Sequence, residues 1–169
     1  MLNSFFAQML IALQDRIKAM VPEIREIDQD LSQIDVYEER PPVALPCVLI
    51  DFSETTYDQL GSLIEDGTVS IDLRLAFPAY STSNSLAPLQ VRENALKYYE
   101  LENKLYKALH GWAPDSGICQ PLARITAVTE KGREDALRVR RIVFSTMFQD
   151  GEASPATTTA HPAIEFDFN

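Results

Sequence analysis

The chain has 169 residues, 46% of them hydrophobic and 24% charged, with a formal net charge of −10. That length suits one domain with a real core, and that composition is ordinary globular usage rather than disorder. No apolar run approaches the roughly 20 residues that span a bilayer, and the acidic balance disfavours gripping a phosphate backbone, so neither a membrane nor a sequence-specific nucleic-acid role is expected.

The N-terminal stretch MLNSFFAQMLIALQDRIKAM is apolar but lacks a basic leader region, so it reads as a mature amphipathic helix rather than a signal peptide. Phe6, Met9, Leu13, Ile17 and Met20 form its stripe, with Leu10 beside them. Asn3 or Ser4 can cap the start, and Pro22 forbids continuation. EIREIDQDLSQIDVYEERPP follows as a polar connector, with Ile24 and Ile27 in a short irregular strand and Asp28, Asp30 and Asp35 in solvent.

In ALPCVLIDF the unbroken apolar run of Cys47, Val48, Leu49 and Ile50 predicts a strand covered on both faces. TTYDQLGSLIEDG then supplies a turn, at Gly61 or at Asp66-Gly67. TVSIDLRLAF carries the cleanest signal. Val69, Ile71, Leu73, Leu75 and Phe77 alternate with Ser70, Asp72, Arg74 and Ala76, predicting one buried and one wet face, and Pro78 ends the strand.

Pro88 suits the first turn of a helix running to about residue 110, with Val91, Ala95, Tyr98, Leu101, Leu105 and Leu109 as its stripe. Glu93–Lys97 and Glu100–Lys104 are four-apart pairs of favourable polarity. Gly111 fits the left-handed residue just past a helix. Trp112, the only tryptophan, is then expected to fold back over Ala108 or Tyr106, largely buried, as a wedge between helix end and sheet. His110 reads as a helix-end histidine donating to a terminal carbonyl.

LARITAVTE and LRVRRIVFSTMF predict two last strands. In the second, Leu137 and Val139 alternate on one phase and Ile142, Phe144 and Phe148 on the other, which a bulge near Arg140-Arg141 would reconcile. From Asp150 the composition turns small and polar, giving a domain over 1–150 and a flexible arm over 151–169. In the arm Ile164, Phe166 and Phe168 alternate as one apolar face, an interaction candidate that adds a strand to a sheet edge. The fold class is therefore α+β: a mostly antiparallel or mixed sheet of four to five strands with two main helices on one face.

Chemistry is hard to find. The six glycines match no nucleotide fingerprint, His110 and His161 are far apart, and no G-x-S-x-G occurs. Cys47 and Cys119 read as reduced, buried thiols. Asp51, at the end of VLIDF, is the best single carboxylate, and it reads as a strand-end residue turned to solvent or to a backbone amide. No catalytic, cofactor-binding or metal-binding residue is assigned.

Together RPPVALPCVLIDF, VSIDLRLAF, ALKYYELENKLYKALHGW and VRRIVFSTMF resemble, in order over about residues 1–150, the tail terminator (tail-completion, head–tail joining) proteins of tailed bacteriophages and prophages. The resemblance implies a structural virion protein and not an enzyme. It would form a ring, typically a hexamer, at the head-proximal end of the tail tube, end tube polymerisation and receive the head-completion protein. Its partners would be itself, the tail-tube protein and that head-completion or connector protein, with no cofactor. It would be made in the host cytoplasm and end at the tail–head junction. Two other readings stay open: another head–tail connector or minor tail protein, and a small carboxylate-based hydrolase.

Overall fold

The computed structural model describes residues 3–36, 41–61, 63–79, 81–131, 133 and 136–153. Helix α1 (Phe5–Met20) is followed by strands β1 (Glu26–Gln29), β2 (Cys47–Gly61) and β3 (Ile64–Pro78). Helices α2 (Leu89–Ala95) and α3 (Lys97–Leu109) come next, and then strands β4 (Ala123–Thr129) and β5 (Leu137–Asp150). The strands form one mixed sheet in the order β1-β2-β3-β5-β4, parallel at β1–β2 and antiparallel elsewhere. This is the expected α+β class. Among the described residues no helix is long and apolar enough to cross a membrane.

The alternation of β3 sets the packing. Val69, Ile71, Leu73 and Leu75 are fully buried in one cluster with Met9, Leu13 and Ile17 of α1 and with Leu101, Leu105, Ala108 and Leu109 of α3. Both helices therefore lie on one face, as a one-sided apolar stripe on each requires. Met20 falls off the stripe and is 48% exposed, and the fully buried Val21 takes its place. Ser4 stands at the N-cap position without a side-chain cap bond.

Two expectations about the elements are corrected. The second helix is broken at Leu96 (φ −103°, ψ 1°), where N–H bonds run three residues back instead of four. α2, before the break, has no buried residue, so nothing beneath it holds the axis straight. β2 does not stop at Phe52 but runs to Gly61, because β3 offers it a ladder out to Ile64. Of the two places expected for the tight turn, the structure uses Gly61 (φ +99°), and Asp66-Gly67 lies inside β3.

The wet face of β3 is also partly dry. A parallel pair needs a crossover, and that between β1 and β2 passes over the face away from the helices. Ile34 there packs with Cys47, Leu49, Ala76 and Val139 in a second small core. This explains β5 without a bulge: its register with β3 is continuous, and its two phases face two different cores.

Gly67 is needed for the close approach of an aromatic ring. A Cβ there would lie 2.5 Å from Phe148 Cε1, and the Phe148 ring is stacked on Phe5 at 3.7 Å. Gly67→Ala is expected to destabilise by about 1–3 kcal/mol through overpacking, read as a lower urea midpoint with an unchanged slope.

Candidate functional site

The helix stop is the first candidate. Gly111 adopts φ +77°, which a residue with a Cβ takes only at a cost. Its N–H donates to Leu122 C=O at 2.8 Å, and Leu122 N–H donates to Trp112 C=O at 2.8 Å, so the turn is laced to the approach of β4. Trp112 is half-buried rather than largely buried, packed against the main core. Arg16 of α1 lies over its ring at 5.6 Å while its Nε donates to Ala108 C=O at 3.0 Å. One guanidinium thus joins α1 to the last turn of α3, where helix carbonyls lack partners.

His110 behaves differently from the sequence expectation. Its Nδ1 accepts the N–H of Arg124 at 3.1 Å instead of donating to a helix carbonyl. Its ring stacks on Tyr106, whose other neighbour is the Arg124 guanidinium at 3.9 Å. β4 has come within reach, and its amide is the stronger claim on the imidazole. Likewise Lys104 pairs with Glu23 on the chain after α1, and not with Glu100.

The second candidate is the charge on the other face. Asp30 and Asp35, expected in solvent, converge on Arg74 of β3. The Arg74 guanidinium donates to Glu130 (2.7 and 2.8 Å), Asp35 (2.7 and 2.7 Å) and Asp30 (3.1 Å), so all five N–H groups are used. Arg133 adds a bond to Asp35 at 2.9 Å and one to Ile34 C=O. The Arg74 guanidinium, with Arg133 beside it, holds the Asp35 carboxyl down at about 2, from 3.8, against the opposing pull of burial.

Asp51 stands directly across the ladder from Asp72. Asp72 is engaged by Arg141, which donates two bonds to it at 3.1 and 2.7 Å. Glu102 is held the same way by Arg140 at 2.6 and 2.8 Å. Burial pushes the Cys47 thiol up to about 12 and also raises Cys119, favouring the protonated thiol in both. Among the described residues no three His, Cys, Asp or Glu side chains group as metal ligands.

The third candidate is a sheet edge. β1 covers β2 only from Cys47 to Ile50, so Asp51–Gly61 has β3 alone as its strand partner among the described residues. That edge is exposed, with Tyr57 45% and Leu60 58% accessible, and Leu63 beyond the turn is 58% accessible. Residues 51–66 hold five carboxylates and no Lys or Arg. Phe5, Phe6, Phe52 and Phe148 fasten the base of this ribbon to α1, with ring centroids 3.7 to 5.8 Å apart. Sequence pattern missed the edge, because TTYDQL has no apolar alternation of its own. Ile164, Phe166 and Phe168 lie outside the described residues.

No family model and no curated protein matches the chain. Among solved structures, a chain described as "Virion of native gene transfer agent (GTA) particle" superposes with a TM-score of 0.48 at 12% identity. The match covers 88% of this chain and all of the other.

Two outcomes follow from the geometry. Trp112→Ala is expected to cost about 2–3 kcal/mol, less than the ~3–5 of a fully buried aromatic, measured by thermal or urea unfolding. Asp35 has a depressed folded-state pKa, so its stabilisation is complete above about pH 4 and lost as the pH falls toward 2. Asp35→Asn is therefore expected to flatten the fall of stability across that window in an acid titration followed by circular dichroism.

Proposed function

We propose that this chain is a structural virion protein, made in a bacterial host, that caps the head-proximal end of a phage tail tube. Copies of the chain would close into a ring, of the six-fold kind the sequence resemblance implies. The ring would stop tube polymerisation and offer its outer surface to a head-completion protein. The observation that carries this reading is the long antiparallel ribbon whose β2 edge, Asp51–Gly61, has no strand beyond it among the described residues. An open edge on a rigid sheet-and-helix body is a device for assembly by strand pairing.

The order of elements supports it, since a helix, a Pro-flanked strand, an alternating strand, an HGW helix stop and two final strands follow one another as the resemblance implies. Charge supports it too. An acidic surface lets DNA slide past without being held, and the carboxylates nearest the sheet centre are occupied by arginines rather than poised for reaction.

The test is electron microscopy of tails assembled with and without this chain. Without it, tubes of uncontrolled length are expected, and adding the chain restores a single length. Tubes of uniform length in its absence would overturn the proposal.

A further inference from the structure

At the end of the sheet opposite the ribbon tip, α3, the chain after α1 and the start of β2 enclose a cleft of about 620 Å³. Its floor is apolar: Pro22, Pro46, Phe77 and Leu101. Arg25 and Lys97 stand on its rim without a charged partner among the described residues, beside the Lys104–Glu23 pair and Glu100. An apolar floor under free cations fits an extended segment that alternates large apolar and acidic side chains. This chain carries one. Residues 164–169 read IEFDFN, with Ile164, Phe166 and Phe168 on one phase and Glu165 and Asp167 on the other.

We propose that this cleft receives residues 164–169 of a second copy of the chain. Reach bears on which copy supplies the segment. β5 runs the length of the sheet, with Arg138 paired to Phe77 at the cleft and Asp150 at the far end. The twelve steps between them span about 40 Å. From Ala153, the last residue described, to Phe166 there are thirteen residues, whose greatest possible reach is about 44 Å. Reaching the same copy's cleft requires almost full extension of that stretch, and a segment supplied by a second copy is free of that requirement wherever the copies meet closely.

The cleft nearest the exit of the segment is the wrong one. It holds about 420 Å³ beside Phe5, Phe6 and Phe148, and its charged lining residues are Asp150 and Glu152, with no cation. Glu165 and Asp167 would be repelled there. The basic cleft attracts them, and a segment passed from copy to copy links neighbours in series, which is how a closed ring or a stack is built. This inference rests on the proposal that the chain assembles with itself.

The test uses the full chain with Phe166 replaced by the photoreactive analogue benzoylphenylalanine. Equal amounts of normal and 15N-labelled protein are mixed, irradiated, digested and analysed by mass spectrometry. Expected are mixed light–heavy products joining residue 166 to the stretch 97–104 or to residues 22–25. Products within one isotopic form only, products at Phe5 or Phe148, or no product would each overturn the inference. Reversing the rim with Arg25→Glu and Lys97→Glu is expected to lower the mixed yield by about tenfold. Adding Glu165→Lys and Asp167→Lys to that chain should restore it, and a yield indifferent to both changes would remove the electrostatic basis. If tails are capped normally while no mixed product forms, the arm inference fails and the capping function stands. Mixed products without control of tube length mean the reverse.

Discussion

Four side chains of β3, Val69, Ile71, Leu73 and Leu75, form the row to which every larger element is fitted. Each is fully buried, and together they fix which face of the sheet is dry. α1 and α3 must lie on that face because their own stripes have nowhere else to go. With the helices placed, β2 and β5 take the two flanks of β3 in antiparallel register over nearly its whole length. Apolar burial at roughly 25 cal/mol per Å² makes this row the dominant local contribution to stability.

The opposite face is held by charge and one plug. Ile34 closes a small apolar core over Cys47, Leu49, Ala76 and Val139. Beside it Arg74 gathers Asp30, Asp35 and Glu130, drawing the crossover down onto the sheet and tying it to the chain after β4. A partly buried ion cluster of this kind adds less net stability than its five bonds suggest, because both partners are desolvated. What it does add is geometry. A planar fork with five fixed donors accepts these carboxylates in one arrangement.

The two ends of the sheet differ in character, and this difference is what gives the molecule a direction. One end projects as an acidic ribbon with an open strand edge, steadied by stacked phenylalanines at the start of α1. The other carries an apolar cleft between α3 and the β2 start, with Arg25 and Lys97 on its rim and no charged partner for either among the described residues. The Arg16–Trp112–Ala108 junction locks the two helices together between those ends.

Much of this fold was legible in the sequence because its causes are local. The period-two pattern of 69–77, the stripes of α1 and α3, the left-handed Gly111 and the short strand at Ile27 each follow from spacings within a few residues. Other features depended on partners far along the chain. Asp30 and Asp35 read as solvated until Arg74, 44 and 39 residues away, was brought beneath them. TTYDQL is a strand only because β3 supplies its ladder. Under one-sided burial the two phases of β5 require a bulge, and the crossover with Ile34 removes that requirement by drying both faces. The helix break at Leu96 had no proline or glycine to announce it, since it arises where the sheet stops supporting the helix. Local periodicity thus determined which segments are helix or strand, whereas the tertiary structure decided which charges meet, which edge stays open and where a cleft forms, because those depend on contacts that no short window of sequence contains.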